Sequence, residues 1–217
     1  MIIVIDGPAG SGKSSTARAV ADRLGIEYLD SGALYRAVTL LYMEAGENKD
    51  AFFTLLEDKE ISFRYSKRTF HAAIDGQSVN DELRKSEVAE QVSKVAAMTR
   101  VRHFVNDLMR EAVRAGAYIA EGRDLGTVVF PDADIKFFMS ADLDERARRR
   151  YEEQKAENPE LTLKEVRQSI EQRDYKDANR AADPLKKAED AIRIDTTNLA
   201  FEQQVDQICS YIEERTD

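Results

Sequence analysis

The sequence predicts an α/β fold in which the strands of a parallel sheet alternate with helices. The first observation is a run of β-branched residues, Met1-Ile-Ile-Val-Ile-Asp6, that passes into a glycine-rich turn and then into a helical pattern. The second is that short apolar runs alternate with longer amphipathic stretches along most of the chain. The third is an exception at residues 60–80, where strand-like runs follow one another. We therefore expect a doubly wound parallel sheet with right-handed crossovers and a small antiparallel insertion.

The glycine-rich turn matches the strand–GxxxxGK(S/T)–helix unit that holds nucleotide phosphates. Glycines let backbone N–H groups close around an anion, and the helix N-terminus adds partial positive charge. Lys13 would reach the β- and γ-phosphates, and Ser14 would offer its hydroxyl to Mg²⁺. A plain glycine-rich βα turn is the alternative. The predicted ATP-binding residues are Gly7, Pro8, Ala9, Gly10, Ser11, Gly12, Lys13, Ser14 and Ser15.

The remaining elements follow from periodicity and from cap and turn residues. In the first half of the sequence we expect a helix that ends at Leu24 before Gly25, a strand at 26–29 and a helix from Ser31 to about Ala45. Inserted strands are expected at 61–65, 70–74 and 78–79. The second half predicts two helices between Ser86 and Ala115 that break near Met98, strands at 118–120 and 135–139, and a strand at 191–194. Capping boxes are expected at Asp142/Glu145 and Thr162/Glu165, with a turn at Glu157-Asn-Pro159 between the helices they begin. The terminal helix should bury Phe201, Val205, Ile208, Cys209 and Ile212.

Composition excludes several classes of protein. A net charge of -9 and a pI near 5.0 argue against a general nucleic-acid or anionic-membrane surface, so anion binding must be local. No apolar run reaches the length of about 20 residues that a membrane span needs, and the N-terminus has no signal-peptide pattern. The single cysteine, Cys209, fits a reducing cytosol and a place in the core. We expect a cytoplasmic monomer.

Polar residues follow two of the predicted strands. Asp30-Ser31-Gly-Ala-Leu-Tyr-Arg36 comes after one strand, and Glu121-Gly-Arg-Asp124 comes after a later one. Ligands of doubly wound folds bind at the carboxyl ends of the strands, so these residues should face the glycine-rich loop. Glu121 could help to hold Mg²⁺, directly or through water, or it could be an ordinary acid at a strand end.

Arginines recur on one helical face at positions 146, 149 and 150. Phosphoryl transfer requires arginine donors for the charge on the migrating group, but a solvated stripe paired with neighbouring glutamates is the alternative. Arg102 lies at the edge of an apolar stripe, and this position alone predicts that it is a surface residue. His71 and His103 have no further metal ligands near them in sequence, so both are expected to be structural.

Five segments together resemble the bacterial cytidylate kinase family. They are Ile5-Asp-Gly-Pro-Ala-Gly-Ser-Gly-Lys-Ser14, Asp30-Ser-Gly-Ala-Leu-Tyr-Arg36, Glu121-Gly-Arg-Asp-Leu-Gly-Thr-Val-Val-Phe-Pro-Asp132, Arg146-Ala-Arg-Arg-Arg150 and the Arg173-Asp to Asn179-Arg180 stretch. The match is collinear and covers essentially the whole chain. The resemblance implies a P-loop NTPase-type three-layer sandwich with a core of 1–58, 86–142 and 178–217, an acceptor-binding insertion at 59–85, and a helical lid at 143–177.

The resemblance also implies a reaction: the γ-phosphoryl group of ATP passes to CMP or dCMP, which yields ADP and CDP or dCDP, with Mg²⁺ as the metal. Family roles at matching positions assign the acceptor phosphate to Ser31, Arg36 and Arg123, and the cytosine to Ser93, Arg102 and Asp124. They assign the acceptor sugar and phosphate to Arg173, Asp177 and Arg180, and the catalytic donors to Lys13, Arg146, Arg149 and Arg150. The chain departs from many members at Glu121, where they have Asp, which affects only the fine geometry of a metal site.

Two other functions fit part of the pattern. A kinase of UMP, dTMP or a sugar would keep the loop and the lid, but it would be expected to lack the inserted sheet and the Arg102/Asp124 pair. A nucleotide-binding switch would need no acceptor site, which would leave the other arginine and aspartate sets unexplained. A coupled ADP-release assay across CMP, dCMP, UMP, AMP and dTMP distinguishes these functions.

Overall fold

A five-stranded parallel sheet forms the centre of the protein, in a computed structural model that describes residues 1–114, 116–156 and 158–216. Its strands lie in the order β2-β6-β1-β7-β8. They are β1 (Ile2–Asp6), β2 (Glu27–Asp30), β6 (Tyr118–Gly122), β7 (Ile135–Ser140) and β8 (Ile192–Asp195). The register aligns the carboxyl ends of three of them, because Asp6 pairs with Gly122 and Asp30 pairs with Glu121. The residues that follow β1, β2 and β6 therefore meet at one edge of the sheet.

Helices flank this sheet and close its core. They are α1 (Lys13–Leu24), α2 (Ser31–Glu44), α3 (Lys49–Asp58), α4 (Ser86–Val95), α5 (Thr99–Ala112), α6 (Leu143–Gln154), α7 (Leu163–Asn179) and α8 (Phe201–Thr216). Central strand residues such as Ile3, Ile5 and Phe137 are fully buried, as expected for a sheet covered on both faces. Among the described residues, no helix is long and apolar enough to cross a membrane.

A second, antiparallel sheet lies between α3 and α4 in the chain. It consists of β3 (Ile61–Ser66), β4 (Thr69–Ile74) and β5 (Gln77–Ser78), in that order. Tyr28 of β2 packs edge-on against Tyr65 and Phe70, and the Tyr65 hydroxyl donates a 2.6 Å hydrogen bond to Asp22 of α1. The inserted sheet is thus tied to β2 and to the C-terminal part of α1.

Helices α6 and α7 form a pair with a small apolar cluster of its own. Ala147 of α6 packs with Val166 and Ile170 of α7, apart from the main core. The capping box at the start of α7 is confirmed: Thr162 and Glu165 satisfy each other's backbone N–H groups. The helix start at Asp142 is also correct, but the predicted box is wrong, since Asp142 makes no cap bond with its side chain. Glu145 pairs with Arg148 and Arg149 instead.

Most predicted elements are confirmed, including the break between α4 and α5 and the left-handed Gly25 (φ 66°) after α1. Helix α3 was not predicted, although Asn48 caps it by accepting from the N–H groups of two residues in its first turn. Phe201 was expected to be buried and is 43% exposed. Ala115, the predicted end of a helix, and Glu157, the start of a predicted turn, lie outside the described residues.

Candidate active site

The glycine-rich loop joins β1 to α1 at the carboxyl edge of the sheet. Two glycines are required by its shape: a Cβ on Gly7 would lie 2.1 Å from the carbonyl oxygen of Met139, and Gly12 caps α1 with a φ of 88°. Lys13 is buried, with Nζ 3.3 Å from the Pro8 carbonyl oxygen and 3.7 Å from the Glu121 carboxylate. Burial first, and then the Arg123 guanidinium, lower the pKa of Lys13 to about 7. An anion on this loop would restore the charge on the lysine.

Ser14 and Glu121 form a pair of oxygen donors beside Lys13. The Ser14 hydroxyl donates a 2.7 Å hydrogen bond to the Glu121 carboxylate. Burial alone would raise the pKa of Glu121, but Lys13, Ser14 and Arg123 outweigh it and hold this pKa below its usual range. A hydroxyl and an ionised carboxylate are ligands that suit Mg²⁺, which also takes waters and nucleotide phosphates. Within the described residues no cluster of three or more His, Cys, Asp or Glu side chains could hold a metal alone.

A group of arginines lies next to Lys13, and we call Arg36, Arg123 and Arg173 the arginine cluster. Arg123 donates from Nε to Asp177 at 2.8 Å, whereas the buried Nε of Arg173 has no acceptor among the described residues. Burial, then Arg123 and Arg36, lower the pKa of Arg173 to about 10. Such destabilisation of the positive charge of Arg173 is expected where an anionic ligand supplies the missing acceptor.

Ser31 begins α2 at the border of this cluster. Its buried hydroxyl donates a 2.7 Å hydrogen bond to the Glu121 carbonyl oxygen, and Asp30 caps the helix by accepting from the Ala33 N–H at 2.8 Å. Burial, and then the Glu121 carboxylate, raise the pKa of Asp30 to about 6. The segment from Asp30 to Arg36 therefore faces the same site as Glu121, as the sequence predicted.

A separate set of charges, which we call the base network, comprises Arg102, Asp124, Arg180 and Asp183. Arg102 is only 1% exposed and donates to both Asp124 and Asp183. Arg180 donates to the second oxygen of Asp124 at 2.8 Å, and the Arg102 guanidinium lies 5.7 Å from the centre of the Tyr35 ring. Burial raises the pKa of Asp124, against the effect of Arg102 and Arg180. The sequence-only expectation that Arg102 lies on the surface is wrong.

Ser93 is the predicted site residue that is least connected to the rest. It lies half-buried on α4, and none of the hydrogen bonds found between described residues joins it to the base network.

The three predicted lid arginines have different surroundings on α6. Arg146 is buried and donates to the Ala9 carbonyl oxygen at 2.9 Å and to Asp174, whose other oxygen accepts from the Ala9 N–H. Arg149 donates to the carbonyl oxygen of Thr196 at 2.6 Å. Arg150 is largely exposed and pairs with Glu153 at 3.0 Å. Arg146 is therefore fixed to the glycine-rich loop, while Arg150 pairs with a residue of its own helix.

Three acidic residues of the site were missed by sequence reasoning. Asp6 accepts from the N–H groups of Leu125 and Gly126 at 3.0 and 2.8 Å and so holds the turn that carries Asp124; burial raises its pKa to about 6. Asp174 and Asp183 belong to the contacts described above. An acid at the end of an apolar strand was a usable signal for Asp6, whereas Asp183 meets Arg102 across 81 residues and gives no local sign.

The chain is similar to known proteins over nearly its whole length. The family model for cytidylate kinase matches residues 3–214. The chain is 42% identical over 215 residues to the cytidylate kinase of Fervidobacterium nodosum, covering 98% of this chain and 96% of that protein. It is 44% identical over 213 residues to the cytidylate kinase of Salinibacter ruber, covering 95% and 94% of the two chains.

Solved structures support the same fold at lower similarity. An uncharacterised protein from Eubacterium ventriosum aligns with a TM-score of 0.57 at 15% identity, over 99% of each chain. The shikimate kinase of Bacteroides thetaiotaomicron aligns with a TM-score of 0.50 at 15% identity, over 98% of each chain. These likenesses concern the P-loop α/β fold, whereas the family match covers nearly every residue of the site. The chain therefore belongs to the cytidylate kinase family.

Proposed function

We propose that this kinase binds its two substrates in two neighbouring sites. It transfers the γ-phosphoryl group of ATP to CMP or dCMP and yields ADP and CDP or dCDP. The glycine-rich loop binds ATP, with Lys13 on the β- and γ-phosphates. The arginine cluster and the base network bind the acceptor. The observation that carries the proposal is the convergence of Lys13 with Arg36, Arg123 and Arg173 beside the loop, where burial and the neighbouring guanidinium groups lower the pKa of Lys13 to about 7 and that of Arg173 to about 10.

The acceptor phosphate is held by the arginine cluster and Ser31. Arg173 keeps a buried Nε with no acceptor among the described residues, and a phosphate oxygen would supply one. Asp177 pairs with Arg123 at 2.8 Å and so fixes that guanidinium for a bidentate contact. Arg180 and Asp177 face the acceptor from the end of α7. Positioning of this kind is most of what phosphoryl transfer asks of a protein.

The base network, together with Ser93, recognises the cytosine base of the acceptor. An ionised Asp124 accepts from the amino group of cytosine and repels the carbonyl oxygen that uracil has in the same place. Arg102 donates to the acceptor atoms of the cytosine ring and compensates the buried carboxylate. A polar site that leaves a wrong substrate unpaired discriminates more strongly than shape alone.

Ser14 and Glu121 are the residues that would hold Mg²⁺ with bound ATP, given their 2.7 Å contact and the lowered pKa of Glu121. When bound, the metal supplies charge neutralisation for the phosphates. No protein base is required, because the acceptor phosphate is already anionic near neutral pH. The chain's own contribution is to hold the two phosphates in line and to exclude water, which is the competing nucleophile.

The lid over ATP comprises residues 143–177, which hold α6 and most of α7, with 59–85 as the acceptor-binding insertion and 1–58, 86–142 and 178–217 as the core. Arg146 and Arg149 approach the phosphates from the loop side, since Nη1 of Arg149 lies 3.8 Å from the position of a Cβ on Gly12. Arg150, which is exposed and close enough to Arg173 to lower its pKa, supplies a further donor to the migrating group when the lid closes. The protein acts as a monomer in the cytoplasm.

Lys13→Ala tests the central assignment. We expect turnover to fall by at least about three orders of magnitude, the scale of losing a donor that stabilises charge in the transition state. Circular dichroism and the melting temperature should stay near those of the native chain, because burial and Arg123 already disfavour the charge of this lysine in the folded protein. A coupled ADP-release assay with CMP measures the rate. A variant that keeps the normal rate would refute the role of the loop.

A further inference from the structure

We propose that Asp183 is a positioning residue for cytosine selectivity, an assignment that rests on the proposed base network and deepens it. Asp183 stands in the segment between α7 and β8. Its carboxylate accepts from Nε of Arg102 at 2.5 Å, and its backbone carbonyl oxygen accepts from Nε of Arg180 at 2.6 Å. One residue thus contacts both arginines that flank Asp124.

The contacts of Arg102 show what Asp183 adds. All three nitrogens of the buried guanidinium have an acceptor: Nε has Asp183, Nη2 has Asp124, and Nη1 has the Ala96 carbonyl oxygen at 3.4 Å. Without the Asp183 carboxylate, Nε would be left unpaired in a buried site, which is unfavourable. The guanidinium would then turn both Nε and Nη2 toward Asp124, in the bidentate geometry that arginine and carboxylate prefer.

This rotation of the Arg102 guanidinium would compete with the substrate for the carboxylate of Asp124. Asp124 already accepts from Arg102 on one oxygen and from Arg180 on the other, and an ionised carboxylate has about four acceptor positions. A bidentate Arg102 would take one more of them, in the plane where the cytosine amino group must donate. Asp183 therefore keeps an acceptor position of Asp124 open for cytosine.

The balance of charges around Asp124 also indicates that Asp183 favours cytosine over uracil. Arg102 and Arg180 carry two positive charges, and Asp124 and Asp183 carry two negative charges. Removing the charge of Asp183 leaves the pocket positive, which favours a carbonyl oxygen, as in uracil, over an amino group, as in cytosine. Both effects lower the preference for CMP over UMP.

The backbone at Asp183 is also specialised. Its φ is 50°, in the left-handed region that aspartate, asparagine and glycine tolerate best. This conformation turns the side chain back toward Arg102 while the carbonyl oxygen meets Arg180. Asp183→Asn and Asp183→Gly can both keep this backbone, so neither variant depends on a strained conformation.

The test measures kcat and KM of Asp183→Asn and Asp183→Gly with CMP, UMP and ATP. We expect Asp183→Gly to raise KM for CMP about tenfold and to lower the CMP-over-UMP ratio of kcat/KM about tenfold, the size typical of one buried hydrogen bond to a charged group. Asp183→Asn, whose amide oxygen can still accept from Nε, should show the smaller loss of selectivity that follows from the missing charge alone. KM for ATP and kcat at saturating CMP should stay within about twofold of the native values. Asp206→Asn removes an exposed aspartate that pairs with Arg23 and serves as the control.

Two outcomes overturn the inference. Native KM and selectivity in both variants would show that Asp183 does not position Arg102. A parallel loss in kcat, ATP binding and melting temperature would show a merely structural role. Asp124→Asn separates this failure from failure of the base network itself: if that variant keeps the native CMP-over-UMP ratio, cytosine is not read there at all.

Discussion

The buried position of Lys13 affects both the pKa of its amine and its interaction with ATP. The folded protein holds this amine next to Glu121 but also next to Arg123 and away from water, and these surroundings lower its pKa to about 7. A lysine with this pKa is largely neutral above pH 8, whereas bound triphosphate would favour its charged form. Binding of ATP should therefore be linked to uptake of a proton.

This linkage can be measured by calorimetry at pH 8. About one Lys13 in ten is charged in the free protein at that pH, and ATP should raise the pKa well above it, so close to one proton is taken up per ATP bound. Titrations in two buffers with different ionisation enthalpies report the uptake. Lys13→Arg is the matched control because arginine stays charged in both states. Equal binding enthalpies for the native chain in the two buffers would contradict the prediction.

Sequence reasoning at the residue scale succeeded where a residue's role is set by its neighbours in the chain. Lys13 and Ser14 follow from the glycine-rich loop itself. Arg102 was read as a surface residue because its partners Asp124 and Asp183 lie 22 and 81 residues away, and only the resemblance moved it into the site. Long-range charge pairing leaves no local pattern, so it could not be predicted from periodicity.

At the scale of elements, the α6–α7 pair is distinguished by a core separate from that of the sheet. Ala147, Val166 and Ile170 form it, and the hydrogen bonds of Arg146 and Asp174 with the Ala9 backbone join the pair to the glycine-rich loop. A small cluster with few neighbours opens locally at lower cost than the main core. This is the property that a lid needs.

Ile170→Ala tests this independence. Truncating a buried isoleucine costs about 2–5 kcal/mol, which should exceed the stability of so small a cluster. We expect faster hydrogen exchange in α6 and α7 with little change in the strands of the central sheet. Ile208→Ala, in the main core on α8, is the control and should lower the melting temperature of the whole protein. Equal acceleration in the sheet after Ile170→Ala would show that the pair is not a separate unit.

Elements were predictable where caps and periodicity agree and less so where tertiary contacts decide. In the Thr162 box the Glu165 carboxylate accepts from Thr162, whereas at Asp142 no box forms and the carboxylate of Glu145 accepts from Arg148 and Arg149. Helix α3 escaped prediction although Asn48 is a good cap, since its apolar positions Phe52 and Leu56 define only one short stripe.

On the scale of the whole molecule, an acidic chain concentrates positive charge at one edge of its sheet. The net charge is -9, yet the ends of β1, β2 and β6, together with α7, bring Lys13 and the arginine cluster together. Residues that are about 160 positions apart in the chain share this site. The arrangement costs stability in the absence of ligand, because like charges are held close and partly out of water.

Arg173 provides the clearest measure of that cost. Its buried Nε has no acceptor among the described residues, and its pKa is lowered to about 10. Arg173→Met keeps most of the side-chain volume and removes the charge, so we expect the unliganded protein to gain about 1 kcal/mol and about 2–4 °C in melting temperature. The same change should lower kcat/KM for CMP by at least about a hundredfold, because the acceptor phosphate loses a charged donor.

The control for this prediction is Arg167→Met on the same helix, where the guanidinium is exposed and pairs with Asp144. That variant should change neither the melting temperature nor the kinetics by a measurable amount, as is usual for surface ion pairs. One fixed concentration of CMP should also raise the melting temperature of the native chain more than that of Arg173→Met, since the stabilisation of the folded state by a ligand grows with the logarithm of its concentration divided by Kd. If the melting temperature of unliganded Arg173→Met lies below that of the native chain, Arg173 stabilises the fold. It would then not be a residue that destabilises the unliganded protein in order to bind an anion.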